Sequence, residues 1–230
     1  MTPLVLLPGM MCDARLFGQQ LAALQAHRPY VFVSGQKHAD MVGMATAILT
    51  VAPPRFALAG LSMGGIVAME VLRQAPDRVE RLALLDTNPR AELPGVSARR
   101  EAQIDRALAG DLRGVLSNDL KPNYLAPGPN HQALLDLCMD MALCLGVQIF
   151  VNQSRALAAR PDQRKTLARF TGPALVLMGA QDQLCPRDRH DEMHALMPQS
   201  QLQIIENAGH LPTLENPKQT TAAIARWLEE

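Results

Sequence analysis

Aromatic residues are scarce: Phe, Tyr and Trp together make up 3% of the 230 residues, with a single Trp. Apolar contacts must therefore come from Leu, Ala, Val and 12 Met, whose flexible thioethers fill irregular gaps. An excess of charge is also missing. Lys and Arg number 22 against 22 Asp and Glu, and no basic cluster stands out. The balance argues against nucleic acid or an anionic membrane as a partner. The four cysteines (Cys12, Cys138, Cys144 and Cys185) form no CxxC pair, so reduced thiols and a cytoplasmic setting are expected. No basic segment or long apolar region precedes Pro3-Leu4-Val5-Leu6-Leu7, which reads as a buried strand and not a secretory signal. The longest apolar stretch, Leu134 to Val151, contains Asp136, Asp140 and Gln148. Each Asp would cost roughly 2.5–3.5 kcal/mol at mid-bilayer, so a membrane span is not expected there.

What is present is a rhythm. Short apolar runs at Leu4–Leu7, Tyr30–Val33, Phe56–Ala59, Leu82–Leu85, Ala174–Met178 and Leu202–Ile205 do not alternate, as in strands buried on both faces of a parallel sheet. Helical patterns at Phe17–Ala26, Met41–Val51, Ile66–Gln74, His190–Met197 and Lys218–Leu228 separate or follow them. This predicts an α/β fold of about six strands, mostly or wholly parallel, with helices on both faces. The interval between Leu85 and Ala174 holds no convincing strand. Its helical stretches, Ser97–Ala109, Leu112–Leu120 and His131–Phe150, predict an inserted helical cap. The expected division is a core of residues 1–86 and 171–230 with a cap of residues 87–170.

Gly60-Leu61-Ser62-Met63-Gly64-Gly65 stands between a predicted strand and a predicted helix, the context that G-x-S-x-G requires. Small residues two positions either side allow a turn tight enough to lift the Ser62 hydroxyl clear of the sheet. Alternatively, the glycines would only allow close strand–helix packing. As a phosphate loop the same segment fails, because Ile66 occupies the place of the essential Lys, and no GxGxxG element follows a strand.

A serine nucleophile needs a base, and His210, in Asn207-Ala208-Gly209-His210-Leu211-Pro212, follows the last strand. Sites in open α/β sheets gather at the carboxyl ends of strands, where Ser62 also sits. His190 and His194 lie four apart, but Glu192 between them fits neither zinc-helix motif, so a solvated helix face is expected and no metal. For the carboxylate that orients the imidazole, Asp182 in Gly179-Ala180-Gln181-Asp182-Gln183 is preferred. Asp86 is the rival at another strand end, read instead as a carboxylate bonding to nearby backbone. The oxyanion needs backbone donors. Met63, after the nucleophile, is one; the loop Pro8-Gly9-Met10-Met11-Cys12 offers Met10 or, alternatively, Met11. Cys12 lacks an elbow and reads as a small buried hydrophobe.

These four motifs, in this order, resemble the α/β-hydrolase superfamily, especially its compact esterases and enol-lactonases with a helical cap. Leu6-Leu7-Pro8-Gly9 is similar to the loop that usually reads L-H-G, and Asn207–Pro217 to the histidine loop. The resemblance implies cofactor-free hydrolysis of a small carboxylic ester, thioester or lactone through a Ser62–His210–Asp182 triad and an acyl-enzyme. Two features depart from the pattern. Pro8 replaces the common His, and the usual hairpin before Leu4–Leu7 is missing, which leaves Tyr30–Val33 at an edge and suggests a homodimer. Cap residues around Leu134–Phe150 are expected to line an apolar acyl or alcohol pocket, with Met139 and Met141 either as adaptable surfaces in it or as cap core. A carbon–carbon hydrolase, a hydroxynitrile lyase or a ligand receptor could keep the same triad.

Overall fold

A computed structural model describes residues 2–229. Six strands form one sheet: β1 (Leu4–Leu7), β2 (Tyr30–Val31), β3 (Phe56–Leu61), β4 (Val79–Leu85), β5 (Ala174–Gly179) and β6 (Ser200–Ile205). Their order is β2-β1-β3-β4-β5-β6, and every neighbouring pair is parallel. The register sets Leu7 beside Gly60, Leu61 beside Leu85, and Gly179 beside Ile205. The strands therefore end nearly level, and the loops that follow them share one rim.

The missing alternation in the strand sequences has a direct cause. Val5 and Leu7 of β1 join a core under Met44, Ile48 and Val67, whereas Leu4 and Leu6 join a second core with Phe17 and Trp227. Side chains still alternate along the strand, but both destinations are apolar. The helices covering the faces are α1 (Gly18–Ala23), α2 (Met41–Val51), α3 (Met63–Gln74), α6 (Arg187–Leu196) and α7 (Pro217–Glu229), with α4 (Pro94–Arg106) and α5 (His131–Ala158) between β4 and β5. Asp40 caps α2 by accepting from Gly43 N at 2.7 Å. Arg78 donates to carbonyls in and beyond the last turn of α2, those of Leu49 at 2.8 Å, Ala52 at 2.9 Å and Pro53 at 2.7 Å.

Some boundaries differ from expectation. The edge strand β2 is two residues long, continued by a single bond from Phe32 N to Leu6 O at 3.1 Å. The helix expected over Phe17–Ala26 is reduced to α1 between two short 3-10 turns, the second ending at Arg28 with φ +45°. The described interval between β4 and β5 is helical. Wide turns link α4 to a 3-10 turn at Lys121–Asn123, with Gly110 at φ +100° inside them. Helix α5 is long and apolar enough, by length and composition, to cross a membrane. Gly146, at φ +81° and ψ 174°, divides it, and neither arm reaches the ~20 residues a bilayer core requires.

Candidate active site

Backbone geometry marks the site before any side chain does. Among the described residues five non-glycine positions have positive φ, and four of them follow strand ends: Met11 after β1, Ser62 after β3, Asp86 after β4 and Asn207 after β6. Strained backbone of this kind costs about 1–3 kcal/mol per residue and collects where function over-determines it. Ser62 has φ +54° and ψ −118° and is pinned by its N–H to Leu85 O at 2.8 Å. Its own carbonyl accepts from Thr87 Oγ1 at 2.7 Å. The turn closes so tightly that a Cβ on Gly60 would collide with the Gly64 backbone, and one on Gly64 with the Leu7 carbonyl. Both glycines are therefore obligatory, and the packing role read for them serves the same elbow.

The three expected polar residues converge. His210 Nε2 lies 2.8 Å from Ser62 Oγ, and His210 Nδ1 lies 2.9 Å and 3.0 Å from the Asp182 carboxylate oxygens. Asp182 also accepts from Leu184 N at 2.8 Å and Cys185 N at 3.1 Å. Burial pushes its carboxyl up. The adjacent His210 and the hydrogen bonds from His210, Cys185 and Leu184 outweigh that, holding it below its ordinary value. The ionised form that a histidine partner needs is thereby favoured.

Asp86 has a different state. It is fully buried, and Oδ1 accepts from Gly179 N at 2.8 Å, the backbone role read for it in the sequence. Its Oδ2 is buried without a donor to meet it. Burial first, then the nearby Asp182 charge, raise its carboxyl well above the ordinary range, which favours its neutral form.

The two candidates for the second oxyanion donor are separated by their partners. Met11 N donates to Gln153 Oε1 at 2.8 Å, so that N–H is occupied. Met10 N and Met63 N have no acceptor among the described residues. Gln153 lies in α5 and also donates to Ser34 O at 2.7 Å, so the helical insertion anchors the loop after β1. Sequence reading missed this contact, and equally missed Glu215. Its carboxylate accepts from Ala126 N at 2.7 Å and from Gly209 N and Leu211 N, both at 2.9 Å, tying the insertion to the two residues flanking His210. His210 N itself donates to Tyr124 O at 2.8 Å.

Other expectations are corrected. His190 is buried and not solvated; its Nδ1 faces Pro186 O at 3.4 Å and Nε2 meets no partner. Burial lowers its pKa to about 4. His194 Nδ1 meets Ser200 Oγ at 2.7 Å. Cys12, by contrast, is buried as expected of a small hydrophobe. The cavity of about 400 Å³ above Ser62 and His210 is lined by α4, by Leu120 and Tyr124, and by the loops after β4 and β5. From α5 only Leu157 contributes, so Leu134–Phe150 do not line it, and Met139 and Met141 pack into the core instead.

A profile of the alpha/beta hydrolase family matches residues 4–224. The chain belongs to that family. It is 27% identical to the pimeloyl-[acyl-carrier protein] methyl ester esterase of Pectobacterium atrosepticum over 248 aligned positions, covering 99% of this chain and 94% of that one. It is 26% identical to the mouse sn-1-specific diacylglycerol lipase across 74% of its own length, and spans 58% of that longer protein. Among solved structures, a malate-bound thermophilic esterase from Thermogutta terrifontis superimposes with a TM-score of 0.84 at 27% identity, covering 100% of this chain and 90% of that one. The enol-lactonase from Burkholderia xenovorans LB400 gives 0.86 at 21% identity, covering 100% and 92%, and shares the fold. The family inferred from four motifs and the all-parallel six-stranded sheet both stand.

Proposed function

We propose that this α/β hydrolase cleaves a small carboxylic ester, thioester or lactone through an acyl-enzyme on Ser62. One observation carries the proposal: His210 bridges Ser62 Oγ at 2.8 Å and the Asp182 carboxylate at 2.9 Å at the floor of the cavity. The similarity to esterases from other organisms supports the same substrate class.

The steps follow from the geometry. Ser62 Oγ attacks the substrate carbonyl while His210 Nε2 takes its proton, and Asp182 stabilises the imidazolium through Nδ1–H. The carbonyl oxygen becomes an oxyanion that the Met10 and Met63 N–H groups receive; losing one such donor typically costs about 2.7–4 kcal/mol. His210 then protonates the leaving alcohol, thiol or enol oxygen as the acyl–Ser62 ester forms. Water, deprotonated by His210, attacks that ester, and the acid departs as Ser62 regains its proton.

The test is hydrolysis of p-nitrophenyl esters across acyl lengths, with Ser62→Ala as comparison and a fluorophosphonate as stoichiometric label. Activity and labelling that both vanish in Ser62→Ala support the proposal. Ester hydrolysis that survives the substitution would overturn Ser62 as the nucleophile. A folded wild type that labels without ester turnover would favour a carbon–carbon hydrolase or a lyase, and one that neither turns over nor labels a receptor.

A further inference from the structure

We propose that the substrate carries a carboxylate besides its scissile ester, held by a wall of arginines facing Ser62; this rests on the hydrolase reading above. The chain is neutral overall, yet the cavity is lined by Arg90, Arg99, Arg100, Arg160 and Arg189 against two carboxylates, Glu92 and Asp119. None of the lining cations is a lysine.

Part of this charge is compensated, since Arg90 pairs with Glu192 at 2.7 Å and Arg189 with Asp188, but Arg99, Arg100 and Arg160 are left with one carboxylate. Arg100 and Arg160 share one buried partner, Glu92, at 3.0 Å and 3.1 Å. Arg99, exposed on the same helix as Arg100, has no ion-pair partner among the described residues. Asp119 is engaged elsewhere, by Arg106 at 2.8 Å. Burial is the main cause of the lowered Arg160 pKa; Glu92 opposes it, and the nearby Arg100 and Arg189 crowd it with like charge and add to the lowering. An anion entering the cavity would relieve that crowding.

The cationic wall also reaches the reaction centre. Arg100 Nη1 lies 4.0 Å from Met10 Sδ, on the loop that supplies an oxyanion donor. A ligand spanning from Ser62 to these guanidiniums is therefore a short molecule with an electrophilic carbonyl at one end and an anion at the other. Guanidinium forks match a carboxylate in two parallel hydrogen bonds, which a lysine cannot do. A neutral acyl chain would leave the excess charge unpaired in a partly enclosed site.

The experiment compares monomethyl with dimethyl esters of the same dicarboxylic acids, succinate through pimelate, by pH-stat at low ionic strength. The two differ by one charge at nearly equal length. At the best chain length kcat/KM should favour the monomethyl ester by about tenfold or more, the scale of one good charge-assisted contact. That preference should collapse in Arg99→Gln/Arg100→Gln, shrink in 1 M salt, where screening acts over about 3 Å, and persist in the control Arg113→Gln outside the cavity. Calorimetric binding of the same esters to Ser62→Ala gives an arm that does not depend on turnover. Equal turnover of both esters, or a preference unmoved by the double substitution, overturns the proposal. Charge-selective binding without turnover of either ester supports the arginine site and overturns the hydrolase reading instead.

Discussion

The strand-end loops and the helical insertion meet across one cavity, but they hold their polar groups by different means. On the strand side, backbone fixes the chemistry: Asp182 is oriented by two N–H groups and Ser62 by Leu85 O, while His210 N reaches across to Tyr124 O of the insertion. On the insertion side, charge is held chiefly by side chains, with Arg100 and Arg160 competing for Glu92. Backbone-fixed groups lose little entropy when they act and keep their geometry through a reaction. Groups held by long side chains can shift among partners. The first arrangement suits bond-breaking and the second suits selecting what enters.

Ser62→Ala tests the strand side most severely. It should lower kcat by on the order of 10³-fold or more while circular dichroism stays unchanged, since one hydroxyl is removed from a turn whose backbone bonds remain. Asp182→Asn comes next, with a loss of about 10²–10⁴-fold, because an amide can stabilise the wrong tautomer and cannot offset the imidazolium charge. Asp86→Asn should cost far less than Asp182→Asn. Burial and the Asp182 charge disfavour ionisation of the residue it replaces, and the amide oxygen can still accept from Gly179 N. If the two asparagine variants were equally impaired, the assignment of Asp182 as the orienting acid would be wrong.

The third effect is on stability and concerns the layer beneath the triad. His190 has a pKa of about 4 in the folded chain against about 6.5 unfolded. Between those values the unfolded chain binds the proton and the folded chain does not, so stability is lost as pH falls from 6.5 to 4 and levels off below. The full loss is about 3 kcal/mol. Urea unfolding at several pH values should show that slope, and His190→Gln should flatten it. An identical slope in the variant would assign the acid sensitivity to other groups.

What could be read from the sequence follows the same division. The elbow was legible because Gly60 and Gly64 are forced by backbone collision, and such constraints leave few alternatives. Asp182 and His210 were legible because each follows a strand, so topology alone placed them on the shared rim. Within Met10-Met11 the sequence could not choose, because the choice depends on Gln153, distant in the chain, taking the Met11 N–H. The cavity wall was misplaced for a similar reason. The apolar run Leu134–Phe150 suggested a greasy lining, but Gly146 bends α5 and the run packs partly into the core, leaving α4 and its arginines to face Ser62. His190 was read as part of a solvated face because its spacing with Glu192 and His194 fits no zinc motif, yet its own face of α6 turns inward.

Glu215 offers the smallest and most informative test, since it joins the two regions. Its carboxylate receives Ala126 N from the insertion and Gly209 N and Leu211 N from the histidine loop, with no arginine or lysine bonded to it. Burial raises its pKa, and the three N–H donors and His210 oppose that rise. Glu215→Gln keeps the size but offers one acceptor oxygen and turns an NH₂ towards backbone donors. The expected result is a loss of about tenfold in kcat/KM, equivalent to roughly 1.4 kcal/mol of transition-state stabilisation, as His210 is held less firmly. A positioning role predicts that kcat falls more than KM rises for every ester tried. It also predicts that the monomethyl-to-dimethyl preference survives, because the arginine wall does not touch Glu215. Loss of that preference together with kcat would mean that the insertion and the triad are one mechanical unit, and that the division between fixed chemistry and adjustable selection does not hold for this enzyme.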